Sequence, residues 1–116
     1  MLVILRREGS TVYGGRELTN DVEQTFDHTF HVERVYDTLA ERGAVLVIRD
    51  RDGDEKRVKL TPHENEFQMT KDIRIVLIGI HAVPNKRGGV ESTLRLGFDA
   101  PRSYRIVRDD AIKRSR

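Results

Sequence analysis

The stretch from Ile73 to Phe98 constrains this chain most. Ile73 to Ile80 is a run of β-branched and aliphatic residues reaching Gly79, and it reads as a strand. Thr93 to Phe98 sets Leu94, Leu96 and Phe98 against Thr93, Arg95 and Gly97. That alternation belongs to a strand with one buried face. Between them lies a polar loop, Pro84 to Gly89. A chain built around such a pair is expected to be mainly β.

Further strand candidates follow the same logic. Leu2 to Leu5 reads as a short buried strand, and Ser10 to Tyr13 as a second with Gly14-Gly15 as its turn. Ala44 to Ile48 and Arg57 to Leu60 flank Asp52-Gly53, a strong hairpin dipeptide. Pro62 ends that hairpin, Glu66 to Met69 is a brief strand, and Tyr104 to Val107 is the last one. Leu18 to Arg42 differs. Asn20 with Glu23 three residues on matches a helix start. Val22, Phe26 and Phe30 follow at spacing four, then Val35, Leu39 and Ala40 on a rotated face, with Gly43 as a stop. These residues predict a helix in one or two pieces, with the Phe30/Val32 alternation marking a break or a short extended piece. Asp109 and Asp110 followed by Lys113, Arg114 and Arg116 predict a very short final helix.

The 116 residues allow one domain, or a small core carrying an insertion. No Cys is present, which removes disulfides, thiolate zinc sites and cysteine nucleophiles together. The net charge of +2 averages unlike parts. Residues 17–71 hold eight basic and thirteen acidic side chains, whereas residues 102–116 hold six and two. A basic frame is interrupted by an acidic middle, a pattern that suits a polyanion-binding part beside a part with another task. No apolar run nears the roughly 18 residues of a membrane span. A soluble, cytoplasmic protein is expected.

Catalytic and metal motifs are weak. Asp50-Arg51-Asp52-Gly53-Asp54 resembles the start of a calcium loop, but Glu55 and Thr61 stand where Gly and Glu are required, so the turn reading wins. His28 and His31 lie three apart, a spacing that could face one metal on a helix, but no third ligand is evident. Lys86-Arg87-Gly88-Gly89 lacks the context of a phosphate-binding loop and reads as a mobile hairpin tip. Nothing argues for an enzyme, and no catalytic residue, metal or cofactor is expected. The arginines are more informative. Arg6 and Arg7 end the first strand, and Arg102, Arg105 and Arg108 bracket the last. The planar guanidinium suits phosphates and base edges.

These residues also carry a family resemblance. Met1-Leu2-Val3-Ile4-Leu5-Arg6-Arg7-Glu8-Gly9-Ser10-Thr11 resembles the opening of the carbon storage regulator (CsrA/RsmA) family. Residues 72–80 resemble its third strand. Leu94 to Arg102 resembles its fourth strand and following loop, most specifically from Arg95 to Pro101, and Tyr104 to Ala111 its fifth strand and helix start. The resemblance covers residues 1–16 and 72–116. The acidic segment 17–71 is left as a helix-plus-hairpin insertion; if Glu66 to Lys71 supplies the family's second strand, the insertion spans about 8–65.

The resemblance implies an interlocked, strand-swapped homodimer of five-strand chains with a short C-terminal helix. It implies an RNA-binding regulator of translation and mRNA stability whose ligand is a GGA element in an mRNA leader or small RNA. The implied RNA-binding residues are Ile4, Leu5, Arg6 and Arg7, Ala100, Pro101 and Arg102, and Ile106 and Arg108. Ala100 and Pro101 would shape a loop that reads guanines; Arg6, Arg7 and Arg108 would hold phosphates or base edges; Ile4 and Ile106 would pack on bases. A protein antagonist fits the same picture, and neither a membrane nor a small-molecule substrate does. Leu5 stands at an often polar position, and the loop from Ala82 to Ser92 is longer than usual. The rival expectation is a protein-interaction module on the same scaffold, with the insertion replacing or screening RNA binding.

Overall fold

The computed structural model describes residues 1–15 and 26–111. Two antiparallel sheets account for most of them. The first contains β1 (Leu2–Arg7), β6 (Glu66–Gln68), β7 (Arg74–Pro84) and β8 (Val90–Asp99), in the order β1-β8-β7-β6. The second contains β2 (Thr11–Gly15), β3 (His28–Asp37), β4 (Arg42–Asp50), β5 (Glu55–Leu60) and β9 (Arg105–Arg108), in the order β5-β4-β3-β2-β9. A short 3-10 turn, Asp109–Ala111, follows β9.

The sheets enclose one core. Phe30, Val32, Leu46, Ile48 and Leu60 come from the second sheet, and Ile75, Leu77, Leu94, Leu96 and Phe98 from the first. Phe30 and Phe98 meet edge to face across the interface, with ring centroids 5.3 Å apart. The strands of the acidic segment therefore bury side chains against β7 and β8. On β4 the buried residues are Ala44, Leu46 and Ile48, while Val45 and Val47 stand half-buried on the other face. That outer face is laced by ion pairs, Glu33 with Arg57 and Arg49 with Glu55 between strands, and Glu41 of the β3–β4 turn with Lys59.

The helix expected within 18–42 is overturned over the described residues, because His28–Asp37 is a strand. Residues 18–25 lie outside the described residues. The reason is periodicity: a spacing of four between Phe26 and Phe30 fits a helix of period 3.6 and a strand of period 2 equally well. A register shift between Val32 and Arg34 then lets Val35 return to the core side, which imitates a helical spacing of three. Leu39 and Ala40 sit in the β3–β4 turn, where the Glu41 amide donates to Thr38 Oγ1 at 3.0 Å, and Gly43 lies inside β4. A similar shift between Leu77 and Gly79 keeps both Leu77 and Ile80 inward and leaves Ile78 exposed.

Three smaller expectations are also corrected. Gly14 and Gly15 belong to β2 rather than to a turn. Gly14 is required because the Tyr104 ring occupies the space a Cβ would take. The final helix is represented by the 3-10 turn at Asp109–Ala111, and residues 112–116 lie outside the described residues. Lastly, β1 is an edge strand rather than a buried one. Leu2, Val3 and Leu5 remain nearly half exposed, and its one buried side chain is Arg6. The Asp50–Asp54 turn forms as expected. Asp50 Oδ1 accepts from the Asp52 and Asp54 amides at 2.9 and 3.1 Å, and Gly53 takes the left-handed conformation at φ 86°.

Candidate nucleic-acid interface

Strand alternation places Ile4 and Arg6 on the inner side of β1, and Leu5 and Arg7 on the outer side. Arg6 is 6% exposed. A buried guanidinium requires anionic and hydrogen-bonding partners, and the region after β9 supplies them. Arg6 Nη1 donates to Asp109 Oδ1 at 2.6 Å, and Nη2 lies 3.6 Å from Asp110 Oδ2. Arg6 also donates to the Leu5 and Thr11 carbonyls. Asp109 Oδ2 accepts from the Thr11 amide at 2.8 Å, so one carboxylate ties β1, β2 and the 3-10 turn together. Partial burial alone would raise the Asp109 pKa. The Thr11 amide and the Arg6 guanidinium both stabilise the charged form, and together they hold it below the ordinary carboxylate value.

This junction floors a cleft of about 710 Å³. Leu5, Arg6 and Arg7 line it from β1, Arg108 from β9, and Lys86 and Arg87 from the β7–β8 turn. Two carboxylates, Glu91 and Asp110, also line it. Arg7 pairs with Glu91 at 3.3 Å and Arg108 with Asp110 at 2.7 Å, both at the surface. No residue between 26 and 71 lines this cleft. The β7–β8 turn is fixed by its own Asn85 side chain. Asn85 Oδ1 accepts from the Arg87 and Gly89 amides at 3.0 and 2.9 Å, and Gly88 is left-handed at φ 81°.

Four of the expected site residues, Leu5, Arg6, Arg7 and Arg108, thus share one cleft. Ile4 and Ile106 are half-buried and pack against the core. Ala100 is half-buried, while Pro101 and Arg102 are exposed in the loop after β8. That loop lies at the opposite end of β1, since Leu2 pairs with Phe98 and Arg7 with Thr93. Six strand residues span roughly 17 Å, so the loop and the cleft mark two ends of one sheet edge. Pro101 lines a different cleft, of about 610 Å³, together with Asp27, His28, Lys71, Ser103 and Tyr104. There His28 Nδ1 and Tyr104 Oη share a hydrogen bond at 2.9 Å. Burial lowers the pKa of His28, against the pull of Asp27 and Asp50, and burial raises that of Tyr104.

The expectation that His28 and His31 could share a face does not survive. Three residues apart on a strand, they point to opposite sides, and His31 bonds Thr11 Oγ1 at 2.9 Å instead. No cluster of potential metal ligands occurs among the described residues. No helix among them is long and apolar enough to cross a membrane. Lys86 and Arg87 were not among the expected site residues. The signal for them is a basic pair inside Asn85-Lys86-Arg87-Gly88-Gly89, between two strands that run on past the end of β1. Asp109 was likewise missed, because its role depends on Arg6 turning inward. Comparison with protein-family models, curated proteins and solved structures finds no match for this chain.

Proposed function

We propose that the chain is an RNA-binding regulator that takes single-stranded GGA elements of mRNA leaders or small RNAs and modulates translation in the cytoplasm. In this reading it is a binding protein, without catalytic chemistry. The observation that carries the reading is the cleft where β1 and the end of β9 converge, with Arg7 and Arg108 exposed at its rim. Exposed guanidiniums beside strand edges suit phosphates and unstacked bases.

The working unit is a homodimer. Among the described residues, the outer edge of β1 has no strand partner and presents Leu2, Val3 and Leu5. Such an edge invites another strand, and a second copy would cover it and bring the partner's Ala100–Arg102 loop into play. Interlocking by strand exchange belongs to the same proposal.

A gel-shift titration with a GGA hairpin and a GGA-less control tests the reading. The hairpin should bind more tightly, by at least tenfold, with an affinity that falls as salt rises. Equal binding of both RNAs would remove sequence recognition. Absence of any shift would favour the protein-interaction alternative.

A further inference from the structure

We infer that the β7–β8 tip is a preorganised phosphate clamp, with Lys86 and Arg87 holding RNA backbone outside the base-reading strands. The inference rests on the RNA-binding reading and adds a contact that is independent of sequence.

Charge pairing carries the argument first. Of the five cationic side chains around the cleft, Arg6 is neutralised by Asp109, Arg7 by Glu91 and Arg108 by Asp110. Among the described residues, Lys86 and Arg87 have no ion-pair partner. The uncompensated positive charge of the cleft, among the described residues, therefore sits on the tip.

The turn itself does not require these cations. The tip at 50–54 uses the same hydrogen bonds, with an Asx side chain first and a left-handed Gly fourth. It carries Arg51 and Asp52 at the positions that Lys86 and Arg87 occupy here. Asn85 and Gly88 set the backbone, so the two middle positions are free for another use.

Position completes the case. The β7–β8 ladder continues through Ser92, Glu91 and Val90 after β1 has ended opposite Thr93. The tip thus projects past β1 as an arm over one end of the cleft, held by its own hydrogen bonds. Fixing the backbone that carries the two cations beforehand lowers the ordering cost of binding.

The test is RNA binding by wild type and by K86R/R87D, measured by fluorescence anisotropy across a salt series with the GGA hairpin and the control. This variant installs the residues that the 50–54 tip already accommodates, so the fold is kept, and an unchanged melting curve confirms it. A second variant, K86Q/R87Q, removes charge without adding any. The clamp predicts that K86Q/R87Q weakens both RNAs by a similar factor, roughly tenfold, and reduces the salt slope by about 1.4 for two single-strand phosphate contacts. K86R/R87D leaves the same net charge on the two positions and should weaken both by a similar factor. Wild-type affinity and slope in both variants, with wild type still selecting the GGA hairpin, would overturn the clamp and leave the RNA reading standing. Loss of GGA selectivity at unchanged control affinity would also overturn it, since the tip would then read bases. Failure of wild type to bind either RNA would overturn both.

Discussion

The hairpin tips at 50–54 and 85–89 share a backbone and oppose each other in charge. In each, an Asx side chain accepts two amides of its own turn, and a left-handed Gly stands fourth. The first tip carries three carboxylates around Arg51, the second Lys86 and Arg87 with no carboxylate. Arg51 is also turned back on the protein. It pairs with Asp27 at 3.2 Å and donates to the Phe26 carbonyl. Arg51 thus lines the cleft of about 610 Å³ beside its own carboxylate partner, whereas Lys86 and Arg87 line the other cleft with no ion-pair partner among the described residues. Turn geometry is set at two positions, and the chemistry between them is free to differ. The acidic tip closes a hairpin, while the basic one overhangs the most cationic recess described.

The structures beneath the tips differ as well. Near the basic tip, Arg6 and Asp109 form an ion pair that is buried on the arginine side; near the acidic one, Arg51 and Asp27 pair closer to solvent. The largest expected effect follows from this contrast. Arg6→Met should destabilise the protein by about 2–3 kcal/mol, because Asp109, the Leu5 carbonyl and the Thr11 carbonyl lose a shared partner. Arg51→Met should cost less than about 1 kcal/mol, as an exposed pair does. Urea unfolding measures both, and equal costs would erase the contrast.

A smaller effect probes what the tips share. Asn85→Ala and Asp50→Ala should each cost about 1 kcal/mol, since each removes two side-chain bonds to turn amides. Values differing by more than about 0.5 kcal/mol would show that the tips are held by different forces. The least effect is that of acid. Asp109 titrates below its ordinary value in the folded chain, so its contribution is present above pH 3.8 and is lost as pH falls through the lowered value. Stability should therefore drop in strong acid, and Asp109→Asn should flatten that limb of the pH profile. An unchanged profile would mean that the Arg6–Asp109 contact contributes little.

Much of this fold was legible in the residues. Alternation in Thr93–Phe98 and the Asp52-Gly53 dipeptide marked a strand and a turn that the structure contains. What failed was the segment where two periods coincide. Val22, Phe26 and Phe30 satisfy a helix on spacing alone, and pairing with β4 across a register shift makes His28–Asp37 a strand. The candidate site was legible in part. Its arginines were visible, but which of them face solvent was not. Arg6 and Arg7 are neighbours in sequence and differ only in the side of β1 they occupy. Lys86 and Arg87 were visible as a basic tip, while their place over the cleft depends on how far β7 and β8 outrun β1.

The sequence by itself determined the β character, the turn chemistry and the separation of an acidic middle from basic ends. Those properties are local, arising from β-branching, alternation, Asx and Gly geometry, and composition. Tertiary structure decided that the strands of the acidic segment share the core with β7 and β8, that Arg6 is buried, and that the charge left unpaired in the cleft among the described residues belongs to the β7–β8 tip. Those outcomes depend on residues far apart in the chain meeting in space, Phe30 with Phe98 in the core and Arg6 with Asp109 at a sheet edge, where burial makes a charge find its partner.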